Sequence, residues 1–114
     1  MLRPARFAAL ALALLLSGSA CATYRASRLY ESGTRALDRG DASAALADLE
    51  RAAALVPEAS EIQNHLGLAY AEAGRHGEAL EAFRRAVALD CDNQAAQHNL
   101  RAAEARPLLA EDGP

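Results

Sequence analysis

Small, apolar and turn residues recur at an interval of 34 positions between Ala26 and Asn93. Each of the two segments, 26–59 and 60–93, alternates apolar and polar residues with helical spacing and predicts a helix, a turn and a second helix. A last helix is predicted from about Asn93 and ends before Pro107. The small residues that coincide are Gly33 with Gly67, Gly40 with Gly74, Ala45 with Ala79, and Ala52 with Ala86.

Specific residues mark the ends of these predicted helices. Gly40 and Gly74 suit the left-handed conformation that follows a helix. Asp41 is expected to cap the next helix, and Pro57 is expected to stop it. The spacing of Ser60 and Gln63 predicts a capping box at the start of the third helix.

This pattern resembles the tetratricopeptide repeat. The resemblance implies an all-α solenoid with two helix-turn-helix repeats, about 26–59 and 60–93, and a capping helix over 94–106. In the family, small residues stand where paired helices approach closely, and the matching repeat-packing positions here are Gly33, Ala45, Ala52, Gly67, Ala79 and Ala86. The chain departs from the family pattern at Ser32, Ala36, Gln63 and Cys91.

The resemblance also implies a concave groove, lined by the first helix of each repeat, that binds a peptide from a partner. We expect the groove residues to face solvent. Acidic neighbours such as Asp38 and Glu72 favour a neutral or basic peptide, and the lysines with which some relatives bind a terminal carboxylate are absent. The matching groove positions are Tyr30, Thr34, Leu37, Asn64, His65, Leu68, His98 and Asn99.

The first 20 residues have the composition of an export signal. Arg3 and Arg6 precede an apolar run over residues 7–16, and small residues follow it. The run is about half as long as a membrane-spanning helix requires. We therefore expect residues 1–20 to be a signal peptide.

The segment from Leu16 to Cys21 resembles the lipobox of bacterial lipoproteins, although Gly18 stands where leucine is usual. The resemblance implies that Cys21 is acylated and becomes the new N-terminus, with residues 21–26 as lipidated terminus and linker. Ala22 after the cysteine then points to the periplasmic side of the outer membrane. The alternative is a plain signal peptide, cut after Ala20 or Ala22, and a soluble periplasmic or secreted protein.

Two cysteines, Cys21 and Cys91, could form a disulfide only if Cys21 is not acylated. Cys91 is otherwise interpreted as a half-buried turn residue, and His76 as a solvated turn residue. His65 and His98, one repeat apart, would make an incomplete metal site, so neither metal nor cofactor is expected.

Composition places the chain among ordinary small domains, with 52% hydrophobic residues and a formal net charge of −3. The chain contains no lysine and no basic cluster along the body of its sequence, which argues against nucleic acid as a partner. No nucleophile elbow, phosphate-binding glycine loop or HExxH motif is present, so we do not expect an enzyme. The tail, residues 107–114, is predicted to be disordered.

These features favour a lipoprotein that recruits or positions another cell-envelope protein through its groove. The alternative is a self-associating structural or pilotin-like assembly subunit of an outer-membrane complex, which would form a homo-oligomer.

Overall fold

The computed structural model describes residues 4–106, except for the side chains at positions 4–7, 9, 10 and 12–17. This part of the chain is all α and contains no strand, which confirms the predicted fold class. The disorder predicted for residues 107–114, and the charge of Arg3 in the predicted export signal, lie outside the described residues. The helices are α1 (Pro4–Asp38), α2 (Ala42–Leu55), α3 (Ser60–Glu72), α4 (His76–Leu89) and α5 (Gln94–Glu104).

The helices pack in chain order. α1 forms a hairpin with α2, and α3 forms a hairpin with α4; α2 packs on α3, and α4 packs on α5. α3 also contacts both α1 and α5, so the first helices of successive hairpins are neighbours on one side of the solenoid.

The turns within the two hairpins are built alike. Gly40 and Gly74 have φ angles of 73° and 75°, which confirms the left-handed conformation predicted for both. The Asp41 carboxylate accepts the Ala44 amide at 3.0 Å and caps α2 as predicted. α2 ends at Leu55, two residues before Pro57.

The capping box predicted at Ser60 and Gln63 is wrong. Ala59 is the N-cap residue of α3, and no side chain caps this helix. The Ser60 hydroxyl instead donates to the Ala86 carbonyl oxygen at 2.8 Å and accepts from the Asn93 amide at 2.9 Å. Asn93 in turn caps α5 through the Ala96 amide. Ser60 therefore ties the start of α3 to the end of α4 and the start of α5.

The small residues of the repeat lie where helices meet. Ala45, Ala52, Ala79 and Ala86 are at most 1% exposed. A Cβ atom at Gly33 would lie 2.6 Å from Leu49 Cγ, and one at Gly67 would lie 2.5 Å from Phe83 Cε1. Both glycines are therefore required by the close approach of a large side chain from the second helix of their own hairpin.

α1 is much longer than the first helix of a repeat. It runs without a break through residues 21–26, where the sequence suggested a linker. Among the residues of α1 whose side chains are described, Ala26 is the first that is buried, at 2% exposed. Within the described part of the chain, no helix combines the length and the apolar character needed to cross a membrane.

Candidate functional site

An open cavity of about 480 Å³ lies between α1 and α3, the first helices of the two hairpins. α1 contributes side chains from its last turns, and α3 contributes side chains from its middle and its last turn. The start of α4 and Arg106, which lies two residues after the end of α5, line the rest of the cavity. Its lining residues are Thr34, Leu37, Asp38, His65, Leu68, Ala71, Glu72, His76 and Arg106.

A second cavity, of about 400 Å³, continues from the first between α3, α4 and α5. The two cavities share Leu68, Ala71, His76 and Arg106. The second is lined mainly by apolar side chains, Phe83 and several alanines among them, and by Asn99 and Ala102 of α5. Together the two cavities form one continuous depression, which we call the groove.

Polar groups stand at the rim of the groove and apolar groups along its floor. Asp38 and Glu72 are exposed, whereas Leu37 and Leu68 are half-buried. Arg106 supplies the positive charge at the end where the two cavities join. The groove can therefore hold an apolar side chain and pair with opposite charges on either side of it.

His65 lies at the contact between α1 and α3. Its Nδ1 atom is 3.2 Å from the Tyr30 hydroxyl and 3.0 Å from the Glu61 carbonyl oxygen. The Tyr30 and His65 rings meet edge to face, with centroids 5.1 Å apart. Burial raises the pKa of Tyr30, and the nearby Glu61 carboxylate raises it further. The Tyr30 hydroxyl therefore remains a hydrogen-bond donor at neutral pH.

The expectation that Asn64 faces the solvent of the groove is wrong. Asn64 is only 4% exposed, and its Oδ1 atom accepts a hydrogen bond of 2.9 Å from Asn99 Nδ2. It borders a separate cavity of about 300 Å³, together with Glu61 and Asp90. Asn64 therefore holds α5 against α3 and does not line the groove.

The other seven predicted groove residues divide into two groups. Thr34, Leu37, His65, Leu68 and Asn99 line one or both cavities of the groove. Tyr30 and His98 line neither cavity: Tyr30 packs on His65, and His98 is exposed on α5.

The structure adds groove residues that the sequence did not reveal. His76 was expected in a solvated turn, but it is the first residue of α4, is half-buried and lines both cavities. Gly74 ends the preceding helix, and counting one N-cap residue after it would have placed His76 inside α4. Ala71 and Arg106 carry no sequence signal of this kind.

The remaining candidate sites from the sequence are a metal site and the two cysteines. Among the residues that the structure describes, no cluster of three or more histidine, cysteine or acidic side chains could hold a metal ion. Cys21 is exposed on α1. Cys91 is also exposed, between α4 and α5, so its interpretation as a half-buried residue is wrong.

A comparison with known protein families agrees with this geometry. A family model described as a tetratricopeptide repeat matches residues 30–96, which include the α2, α3 and α4 helices and the cap of α5. No curated protein matches the chain with significant similarity. Repeats of this family typically act as non-catalytic modules and generally mediate protein–protein interaction. The matched region spans more than half of the chain, and the protein therefore belongs to the tetratricopeptide repeat family.

Proposed function

We propose that this chain is an exported, lipid-anchored interaction module that holds an extended segment of another cell-envelope protein in its groove. The observation that carries the proposal is the continuous groove along α1, α3 and α5, with cavities of about 480 and 400 Å³. These volumes suit a few side chains of a bound peptide.

The lining of the groove favours a particular kind of segment. Half-buried Leu37 and Leu68 offer apolar surface to one side chain of the partner. The exposed carboxylates of Asp38 and Glu72 attract arginine or lysine beside it. We therefore propose a partner segment in which an apolar residue is flanked by basic ones.

The N-terminal part of α1 supports the lipid anchor. Cys21 follows the segment that resembles a lipobox, and its side chain is exposed. Acylation there would hold the module at the periplasmic side of the outer membrane.

Crosslinking in the native envelope, followed by capture of the protein, tests the groove. Asp38→Asn with Glu72→Gln should lose a basic partner segment, because the charges that attract it are removed. Glu58→Gln with Asp92→Asn is the matched control, since it removes two exposed carboxylates that line no cavity of the groove. Equal capture by the two double variants would contradict the proposal.

The anchor and the oligomeric state are tested separately. Intact mass of the protein from its own host should show acyl chains at Cys21, and Cys21→Ser should release the protein from the membrane. An unmodified Cys21 thiol or a disulfide between Cys21 and Cys91 would contradict the anchor. Sedimentation of a stable homo-oligomer at low concentration would favour the structural subunit over the recruiting module.

A further inference from the structure

One side of α1 carries exposed arginines. Arg25, Arg28 and Arg35 lie on the helix, and Arg39 directly follows its end. The intervals of three, seven and four residues place these side chains on the same side of an α-helix. We call this set the arginine face. Within the described part of the chain, the ion pairs involve Arg51, Arg75 and Arg84, and none involves the arginine face.

The adjoining side of α1 packs on the hairpin. Ala26 and Ala36 are 2% and 1% exposed, and Gly33 lies against Leu49. No repeat precedes α1 in the described chain, and α1 contacts only α2 and α3. Among the residues that the structure describes, none forms an ion pair with the arginine face.

The segment that carries this face also holds the exposed Glu31, one turn from Arg28 and from Arg35. Its net charge still contrasts with that of the rest of the domain. Residues 40–106 contain six arginines and eleven acidic residues, whereas residues 21–39 contain four arginines and two acidic residues. Along the sequence the four arginines are separated by other residues, so no cluster is visible there. The α1 helix brings these separated arginines to one side.

Cys21 lies on the same side of α1 as the arginine face. It precedes Arg25 by four residues and Arg28 by seven, or about one and two helical turns. Tyr24, between them, is 67% exposed. Since α1 is continuous from Cys21 to Asp38, no flexible linker separates the cysteine from the first repeat.

We propose that the arginine face lies against an anionic phospholipid surface. Guanidinium groups bind phosphate with two parallel hydrogen bonds, and each basic side chain near such a surface adds to the attraction. Tyr24 suits the headgroup region, where a ring with a polar end is favoured. The proposal rests on the proposed lipid anchor only for the position of Cys21; the attraction of the arginines is independent of acylation.

This arrangement leaves the groove accessible. Thr34, Leu37 and Asp38 lie on other sides of α1 and line the groove. A membrane on the arginine face would therefore orient α1 along the lipid surface while the groove stays open to a partner. A protein chain with an acidic surface is the competing occupant, and the test separates the two.

Vesicle binding by the full chain tests the proposal. The probes are vesicles of phosphatidylcholine with phosphatidylglycerol, and vesicles of phosphatidylcholine alone. The variant Arg25→Gln/Arg28→Gln/Arg35→Gln should bind the anionic vesicles about tenfold or more weakly than the unchanged protein. The matched control, Arg51→Gln/Arg84→Gln/Arg85→Gln, removes the same charge from exposed positions elsewhere and should change the affinity by less than about twofold.

Two further measurements make the result decisive. The difference between the two triple variants should disappear on phosphatidylcholine alone and shrink as salt is added. Circular dichroism should show that both variants keep their helix content, and the single variant Arg28→Glu should give a smaller loss in the same direction.

Several outcomes would overturn the proposal. Equal losses in both triple variants would show a general effect of charge, and no loss in either would show that these arginines do not contribute to lipid binding. A face variant that still binds the vesicles but loses an acidic protein crosslinked in the envelope would assign the arginine face to that protein. Acyl mass at Cys21 and capture through the groove are measured independently, so failure of the proposed function is distinguishable from failure of this inference.

Discussion

Two neighbouring buried amide side chains in α3 differ in their hydrogen bonding. Asn64 is 4% exposed and is hydrogen-bonded to Asn99. Gln63 is 5% exposed, and its Oε1 atom is the buried side-chain acceptor without a partner among the residues that the structure describes. Burying an unpaired acceptor costs about 1–3 kcal/mol, so Gln63 lowers the stability of the fold.

Replacing Gln63 with leucine should therefore stabilise the protein. We expect Gln63→Leu to raise the free energy of unfolding by about 1 kcal/mol, because the desolvation cost of the unpaired acceptor disappears. Thermal melting followed by circular dichroism measures the change. Asn64→Leu is the contrasting control and should lower the melting temperature, since it leaves the Asn99 amide unpaired. A lower melting temperature for Gln63→Leu would show that Oε1 is paired in solution.

At the scale of the helical elements, the two hairpins are packed by the same device. A large side chain of the second helix, Leu49 or Phe83, fills the space above a glycine of the first. The alanines between them are almost completely buried. Helix spacing within each hairpin is therefore set by one glycine and one large residue, at equivalent positions 34 residues apart.

A single methyl group at this contact should be costly. We expect Gly67→Ala to lower the free energy of unfolding by about 1–3 kcal/mol, because the added Cβ would lie 2.5 Å from Phe83 Cε1. Gly77→Ala is the matched control: it also replaces a helical glycine, but no atom lies within 4 Å of the added Cβ. The control should gain about 0.4–1 kcal/mol from reduced chain entropy. Denaturant unfolding of both variants measures the difference, and equal stabilities would mean that α3 and α4 do not meet at Gly67.

At the scale of the whole molecule, the two repeats are joined partly through Tyr30 and His65. These side chains link α1 to α3 directly, across 35 positions of sequence. The Asp38 carboxylate at the groove rim and the arginine face lie on different sides of α1. Opposite charges are thus presented to two different environments by one helix.

The contact between the repeats predicts a loss of stability in alkali. The pKa of Tyr30 is raised in the folded protein, chiefly by burial, so the unfolded chain releases this proton first. The favourable contribution is complete below the ordinary tyrosine pKa of about 10 and declines as the pH rises above it. Unfolding curves from pH 7 into the alkaline range should show a shallower decline for Tyr30→Phe than for the unchanged protein.

Tyr70 is retained in this variant and preserves part of the decline. Its pKa is also raised, by burial and by the Glu50 carboxylate, which accepts a hydrogen bond from the Tyr70 hydroxyl. Tyr70→Phe is therefore the companion variant, and the double variant should decline least. Identical slopes for Tyr30→Phe and the unchanged protein would show that the Tyr30 proton does not contribute to the pH dependence of the free energy of unfolding.

Local chemistry explains why so much of the fold could be predicted. The left-handed glycines at 40 and 74, the Asp41 cap and the stop before Pro57 act within a few residues of their own position. The resemblance to the repeat family implied groove positions at Thr34, His65 and Leu68, and these three side chains line the first cavity. Features that join distant segments were missed: the Ser60 hydroxyl binds a carbonyl 26 residues away and an amide 33 residues away.

The sequence by itself determined the repeat, the order of the helices and the small residues between them, because these depend on local backbone preferences and on a period that is visible along the chain. Only the tertiary structure decided that Asn64 is buried, that His76 enters the groove and that Cys91 is exposed. It also decided that the arginine face of α1 stays exposed. Burial and partner choice depend on which helices meet, and that is settled by packing over the whole molecule.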